Sequence, residues 1–402
     1  GKKKIAALAI GDDAGNEFQT MLNRYDSIAS FSIGRNASAA AIQKVYNQLN
    51  NYDIIICSVH TVRIPESLPL RQLSAKKELV YAFFTLPYFC KDYKNSIQKA
   101  KALVMGYENT PLAQEYAAQV IFGGIGAKGK LPVSIPGLYY SGTGVFTEKT
   151  RLGYHEPEEV GANAVRLDVI ESIVSEGLEE KAFPGCQVLV AKDGMIIYDK
   201  SFGYYDFDKS RIVTETSVYD LASASKASGT LLAVMKAYDE KKFTLNNKIA
   251  DFVPALKGSN KQDLSIKELL YHQSGLISSI NFYLKAIDKD SYTGSLYSNA
   301  KNAVHPIRFD AKTYVRNDFS YLPDLVSDKK KPGFTTEVAR NFYVSDSFKD
   351  SIMQSIVDSR LGKRGKYVYS CINFILLKMM VENLMDKPMD RLLHDDFYAG
   401  LG

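Results

Sequence analysis

The chain has 402 residues, 46% of them apolar and 24% charged, with 13 prolines. At roughly 100–200 residues per domain this suits two globular domains, and it excludes disordered, collagenous and disulfide-stapled classes. Fifty basic against 45 acidic side chains leave a net +5, too small and dispersed an excess for a dedicated nucleic-acid surface, so Lys2-Lys3-Lys4 and Lys329-Lys330-Lys331 read as solvated ends and loops. Cys57, Cys90, Cys186 and Cys371 lack C-x-x-C spacing, which rules out a readable zinc ribbon or thioredoxin-type motif. No apolar stretch approaches the ~20 residues of a membrane span, and no signal-peptide core opens the chain. The start at Gly1-Lys2, without an initiator Met, reads as an excised or processed piece of a longer protein.

The first 137 residues alternate strand and helix. Lys4 to Ile10 is a buried-strand pattern running into the turn Gly11-Asp12-Asp13-Ala14-Gly15 and a helical stretch from Asn16 to Arg24. Ser27 to Ile33, Asp53 to Val59, Leu79 to Phe84 and Ala102 to Tyr107 are further short apolar runs. Helical stretches near 38–50, 68–77 and 92–100 separate them. Five such strands argue for a mostly parallel sheet covered on both faces. The next helix is marked by Thr110 as N-cap, Pro111 at its first position and Gly123 beyond its end.

Gly123-Gly124-Ile125-Gly126-Ala127-Lys128-Gly129-Lys130 fits two phosphate-binding patterns by spacing. Both require a loop that leaves a strand and opens a helix, whereas this one leaves a helix and enters Leu131-Pro132-Val133-Ser134-Ile135-Pro136. Nucleotide binding is rejected on that context. Ala117 to Gly124 followed by Gly129 to Pro136, with Ala102 to Pro111 before them, resembles the C-terminal α/β sandwich domain of glycoside hydrolase family 3 over residues 1–137. That family's nucleophilic Asp lies on a preceding barrel, to which nothing here corresponds, so the resemblance implies an accessory domain and an upstream barrel partner. Asp12, Asp13 and Glu66 then read as loop and cap residues, and His60 as a polar strand-end residue. Residues 138–161, rich in Tyr and Gly, read as an ordered but irregular linker.

The third region, 162–402, opens with Leu167, Ile170, Ile173, Val174 and Leu178 on one helical face. Val188 to Ala191 and Met195 to Tyr198 then flank Asp193-Gly194 as a hairpin. Next, Tyr219-Asp220-Leu221-Ala222-Ser223-Ala224-Ser225-Lys226 runs into the apolar stretch Leu231 to Met235. Ser223 and Lys226, three apart at a helix start, stack an amine beside a hydroxyl. A serine is a weak nucleophile until a nearby base takes its proton, and a partly desolvated lysine can have its pKa lowered enough to assist.

Two later landmarks follow: Lys267 to Leu276, containing His272-Gln273-Ser274-Gly275, and Tyr367-Val368-Tyr369-Ser370-Cys371-Ile372-Asn373-Phe374. With Ser223-x-x-Lys226 they resemble, in order and spacing, the serine β-lactamase-like superfamily, which includes class C β-lactamases, DD-peptidases and related esterases. The resemblance implies an α+β hydrolase domain in which Ser223 is acylated, Lys226 is its partner and Tyr369 shuttles the proton. By the same resemblance His272 and Ser274 would form a structural turn of the family rather than catalytic groups. A phenol ionising near about pH 10 serves as base only where positive charge stabilises the phenolate, and Lys226 would supply it.

Two departures accompany the resemblance. Where that family has Asn or Asp two residues after the Tyr, this chain has Cys371, a weak hydrogen-bonding group that Asn373 would have to replace from the next turn. The family's third motif, K-T-G or H-x-G on a late strand, is absent, which reads as a truncated domain lacking its last strands. Residues 277–366 correspond to the helical region that shapes substrate choice in that family. There Tyr283, Tyr292, Tyr297, Tyr314 and Tyr321 either stack on sugar rings or pack locally. His305 and His394 are isolated, so no metal is expected, and no cofactor is implied.

The whole reads as α/β: a parallel α/β sandwich domain (1–137), a linker (138–161) and a serine hydrolase domain (162–402). It would be a fragment of a bacterial envelope or periplasmic hydrolase acting on a small-molecule or cell-wall-derived substrate. The alternative is a degenerate, non-catalytic module supporting an upstream β-N-acetylglucosaminidase barrel.

Overall fold

The computed structural model describes residues 3–62, 70–310 and 312–401, so Glu66 lies outside the described residues. The chain divides into two compact units, 1–217 and 218–402.

In the first unit β1 (Ile5–Ile10), β2 (Ala29–Ile33), β3 (Ile54–Val59), β4 (Glu78–Phe83) and β5 (Ala102–Met105) form one parallel sheet in the order β2-β1-β3-β4-β5. Helices α1 (Glu17–Asn23), α2 (Ala39–Leu49), α3 (Leu70–Lys76), α4 (Lys94–Ile97) and α5 (Pro111–Phe122) connect or follow the strands. Alternation along each strand loads both faces. Leu8, Ile10, Ile55, Cys57, Tyr81 and Phe83 pack with Ile42 and Leu49, while Ala7, Ile56, Ala82 and Phe84 pack with Phe18, Leu22 and Ala118. The helix expected near 92–100 is a 3-10 turn over Pro87–Tyr93 followed by the single turn α4.

Thr110 caps α5 through Ala113 N–H, and Gly123 ends it in the left-handed conformation. Two of the glycines that follow, Gly124 and Gly126, serve close packing. A Cβ on Gly124 would lie 2.0 Å from the Tyr25 hydroxyl, and one on Gly126 would lie 2.6 Å from the Thr147 carbonyl. His60, at the end of β3, is buried, bonded through Nδ1 to Asn109 Oδ1 at 2.8 Å and through Nε2 to Asn16 at 3.2 Å. It ties the end of β3 to the N-cap of α1 and to the residue before the α5 cap.

The linker contains β6 (Gly153–Tyr154), which pairs parallel with the later strand Met195–Gly203. Buried Gln119 of α5 clasps Tyr154, accepting from its N–H at 2.7 Å and donating to its carbonyl at 2.9 Å. Two helices follow, α6 (Ala164–Leu167) and α7 (Val169–Glu179), and then the hairpin β7 (Gly185–Lys192) and β8 (Met195–Gly203). The apolar face read over 167–178 is only partly covered, because Val174 is buried while Ile173 is exposed.

In the second unit a π-helical turn over Lys226–Leu231 leads into α8 (Leu232–Asp239). With α9 (Ile266–Leu270), the core takes in Ala233, Val234, Ala237, Ile266 and Leu269, and Ile372, Leu376, Leu377, Met380 and Val381 complete it from a later helix. Residues 277–366 are not the helical region expected. They form two small antiparallel sheets, β9 (Tyr297–Ser298), β10 (Ile307–Arg308) and β11 (Tyr314–Val315), then β12 (Val326–Ser327), β13 (Thr336–Ala339) and β14 (Phe342–Val344), followed by α10 (Phe348–Asp358). Helix α11 (Cys371–Met385) and the short α12 (Met389–Leu393) close the unit. No helix among the described residues is long and apolar enough to cross a membrane.

Candidate active site

The turn that carries Ser223 is built from local backbone bonds. Ala222 has φ +43°, a left-handed conformation that costs a non-glycine residue about 1–3 kcal/mol and tends to cluster where function demands it. Asp220 holds it there, its Oδ1 accepting from Ala222 N–H at 2.9 Å. Lys226 N–H donates to the Ser223 carbonyl at 3.1 Å, so the helix starts at the hydroxyl. The sequence alone does not single out Asp220, although an Asp two residues before a turn is the signature of a side chain mimicking a backbone acceptor.

Ser223 Oγ receives two donors. Lys226 Nζ lies at 3.0 Å and the Tyr369 hydroxyl at 2.8 Å. Lys226 Nζ also sits 5.4 Å from the centre of the Tyr369 ring. The three residues singled out from the sequence, 146 positions apart at the extremes, therefore meet at one oxygen. The expected lowering of the lysine pKa is not found. Burial pulls it down, but the Tyr369 hydroxyl and nearby Cys371 outweigh burial and hold the ammonium above its ordinary value. Lys226 thus stands as a fixed positive charge rather than a free base.

Tyr369 is positioned from a second direction. α9 begins with a reciprocal cap between Ser265 and Glu268, and ends with His272 at φ +54°. Along the turn that follows, Gly362 N–H donates to Gly275 O, Gly365 N–H to Gln273 O, Val368 N–H to His272 O and Cys371 N–H to Ser278 O. Arg364 reinforces the junction with two bonds to Glu268, 2.7 Å from Nε and 2.6 Å from Nη2, which hold that carboxyl at about 2. The segment bearing Tyr369 is laid onto this turn peptide by peptide.

Asn373 does not replace the missing Asn or Asp beside Lys226. It is fully buried, its Oδ1 accepting from Ser274 Oγ at 2.6 Å and its amide donating to His272 Nδ1 at 2.9 Å. Cys371 helps hold the Lys226 ammonium above its ordinary value. The five tyrosines singled out in the 277–366 segment include several that pack on one another or on neighbours. Tyr283 and Tyr297 share a hydrogen bond of 2.5 Å, Tyr297 tilts against Phe309, Tyr292 lies under Arg316, and Tyr321 meets Phe342 edge-on. No cluster of three His, Cys, Asp or Glu side chains suited to a metal occurs among the described residues.

A profile of the family described as Beta-lactamase matches residues 170–402. A protein of Escherichia coli strain K12 named "Putative D-alanyl-D-alanine carboxypeptidase" is 24% identical over 259 residues, 61% of this chain and 48% of that protein. "Protein flp" of Staphylococcus aureus strain NCTC 8325 is 33% identical over 114 residues, 28% of this chain and 23% of that protein. The chain spans about half the length, or less, of these curated relatives. Among solved structures, the octameric penicillin-binding protein homologue from Pyrococcus abyssi is similar at 18% identity and a TM-score of 0.40, over 58% of this chain and 42% of that one.

Proposed function

Because the chain belongs to the beta-lactamase family, through a match over residues 170–402, we propose that it is a serine acyl hydrolase with Ser223 as nucleophile. The observation that carries this reading is the convergence of Lys226 Nζ and the Tyr369 hydroxyl on Ser223 Oγ. In the reacting form the Tyr369 proton has passed to solvent and Lys226 stabilises the phenolate; Ser223 then attacks an amide or ester carbonyl as its proton passes to that phenolate. Tyr369 returns that proton to the departing amine or alcohol, and water then releases the acyl group by the same route in reverse. The named function of the E. coli relative supports a peptide ending in D-amino acids as substrate class, and with it a place in the cell envelope.

We read residues 1–137 as an accessory domain of glycoside hydrolase family 3 type, with an upstream barrel as its partner. Its five-stranded parallel sheet and the glycine-rich turn after α5 support that assignment. Cys371 in place of an Asn or Asp favours a second reading, a non-catalytic module beside such a barrel. Intact-protein mass spectrometry after exposure to a fluorophosphonate and, separately, a penicillin decides between them. An adduct that disappears in Ser223→Ala supports the hydrolase, and no adduct from either probe refutes it.

A further inference from the structure

His272 sits one layer behind the reacting oxygen, and the direction of its hydrogen bonds fixes its chemical form. Ser370 N–H points at Nδ1 from 3.1 Å, and a backbone amide can only donate. Asn373 Nδ2 reaches the same nitrogen at 2.9 Å, its orientation set by Ser274 Oγ donating to Asn373 Oδ1. Ser274 Oγ is itself an acceptor from Leu276 N–H at 3.3 Å, which leaves its proton for Asn373. Nδ1 therefore carries the lone pair, and the neutral ring carries its proton on Nε2. Ring centres of His272 and Tyr369 are 4.8 Å apart at 39°, with Phe374 at 5.5 Å and Tyr367 at 6.0 Å.

We propose that His272 is a positioning residue for Tyr369, holding the phenol on Ser223 only while the imidazole is neutral. The proposal rests on Ser223 being the acylated residue. A proton on Nδ1 would oppose two N–H groups, push Ser370 and with it the neighbouring Tyr369 away, and place a second cation beside Lys226. The titratable and charged groups around the ring are Lys226 from the Ser223 helix, Tyr367, Tyr369 and Cys371 from the facing segment, and Glu268 of its own helix, already paired with Arg364. Burial first, and Lys226 second, lower the His272 pKa from its ordinary value, so the neutral form prevails at neutral pH.

The test measures the rate at which a fluorophosphonate labels Ser223 between about pH 5 and 9. In labelling, the serine oxygen bonds to phosphorus, fluoride leaves, and the serine proton passes to Tyr369. His272→Gln, which carries no acceptor at the Nδ1 position, slows labelling at pH 8 by about tenfold or more. His272→Asn presents an oxygen near the Nδ1 position, tolerates the left-handed backbone, restores part of that loss, and removes the acid limb expected below the ordinary histidine range. Equal rates for the Gln variant and the unaltered chain, or an unchanged acid limb in the Asn variant, would overturn the proposal.

Imidazole nitrogen resonances of the unaltered chain read the same point independently of labelling. A proton on Nε2, with a titration that moves the Tyr369 ring signals, is expected. A proton on Nδ1, or Tyr369 signals indifferent to the titration, refutes the assignment. Absence of labelling in the unaltered chain at every pH, with these resonances as expected, refutes the acyl hydrolase reading while leaving the role of His272 in holding Tyr369 supported.

Discussion

Lys261 is fully buried, and its ammonium lies at the carboxyl end of α10. It donates to Val357 O at 2.9 Å, to Asn260 Oδ1 at 2.6 Å and to Ser359 O, so it closes off carbonyls that a helix end leaves without partners. Lys261→Met keeps much of the length but leaves the Val357 and Ser359 carbonyls buried and unpaired, at about 1–3 kcal/mol each. Relief from burying an ammonium offsets part of this, which leaves a net loss of about 2–4 kcal/mol. For a unit of this size that lowers the melting temperature by about 4–16 °C in calorimetry.

Burial lowers the Lys261 pKa. In the window between the folded value and the unfolded value near about 10.4, the folded chain therefore binds fewer protons than the unfolded one, and stability rises with pH. The Met variant loses that rise. Melting within about 2 °C of the unaltered chain, or an identical alkaline slope, would show that Lys261 does not close the helix end.

Tyr369→Phe removes one oxygen while the ring remains against His272, and acylation of Ser223 should fall by about 10²–10⁴-fold in stopped-flow or mass-spectrometric rates; a change under about fivefold refutes the proton-transfer role. Glu268 is held at about 2, chiefly by Arg364, so its contribution is present above the unfolded carboxyl value near about 4.3 and is lost as pH falls toward 2. Urea midpoints for Glu268→Gln should lie below those of the unaltered chain at pH 7 and converge with them near about pH 2. Gly124→Ala forces a methyl against the Tyr25 hydroxyl and should destabilise by about 1–3 kcal/mol in calorimetry. Inorganic phosphate or ATP should leave the melting temperature unchanged if those glycines serve packing alone.

What was legible in the sequence follows from how local each signal is. The five strands of the first sheet and the caps of α5 were readable because apolar runs, Thr110-Pro111 and Gly123 act within a few residues of themselves. Ser223 and Lys226 were readable because helical spacing alone brings them together, and Tyr369 through a resemblance carried by three separated motifs. The raised lysine was not, since it depends on Tyr369 and Cys371 arriving from far along the chain. Nor is the bonding of Asn373 readable, for the same reason: it is set by His272 and Ser274, about a hundred residues earlier. The 277–366 segment has weak periodicity, and short antiparallel pairings such as Tyr314 with Ser298 leave little trace in a pattern of apolar positions.

The strip from Gly362 to Val368 is fastened to the turn below it by peptide groups, while its own side chains are exposed. Apart from Arg364, whose guanidinium holds Glu268, Tyr367, whose ring meets His272, and Gly365 at φ +81°, substitutions there change what the solvent sees without touching the bonds that set where Tyr369 ends up. The strip is therefore a place where the sequence can drift, acquiring charge or bulk at the rim, while the reach of the phenol stays constant. A proline is the exception at Gly362, Gly365 or Val368, because it deletes the N–H itself.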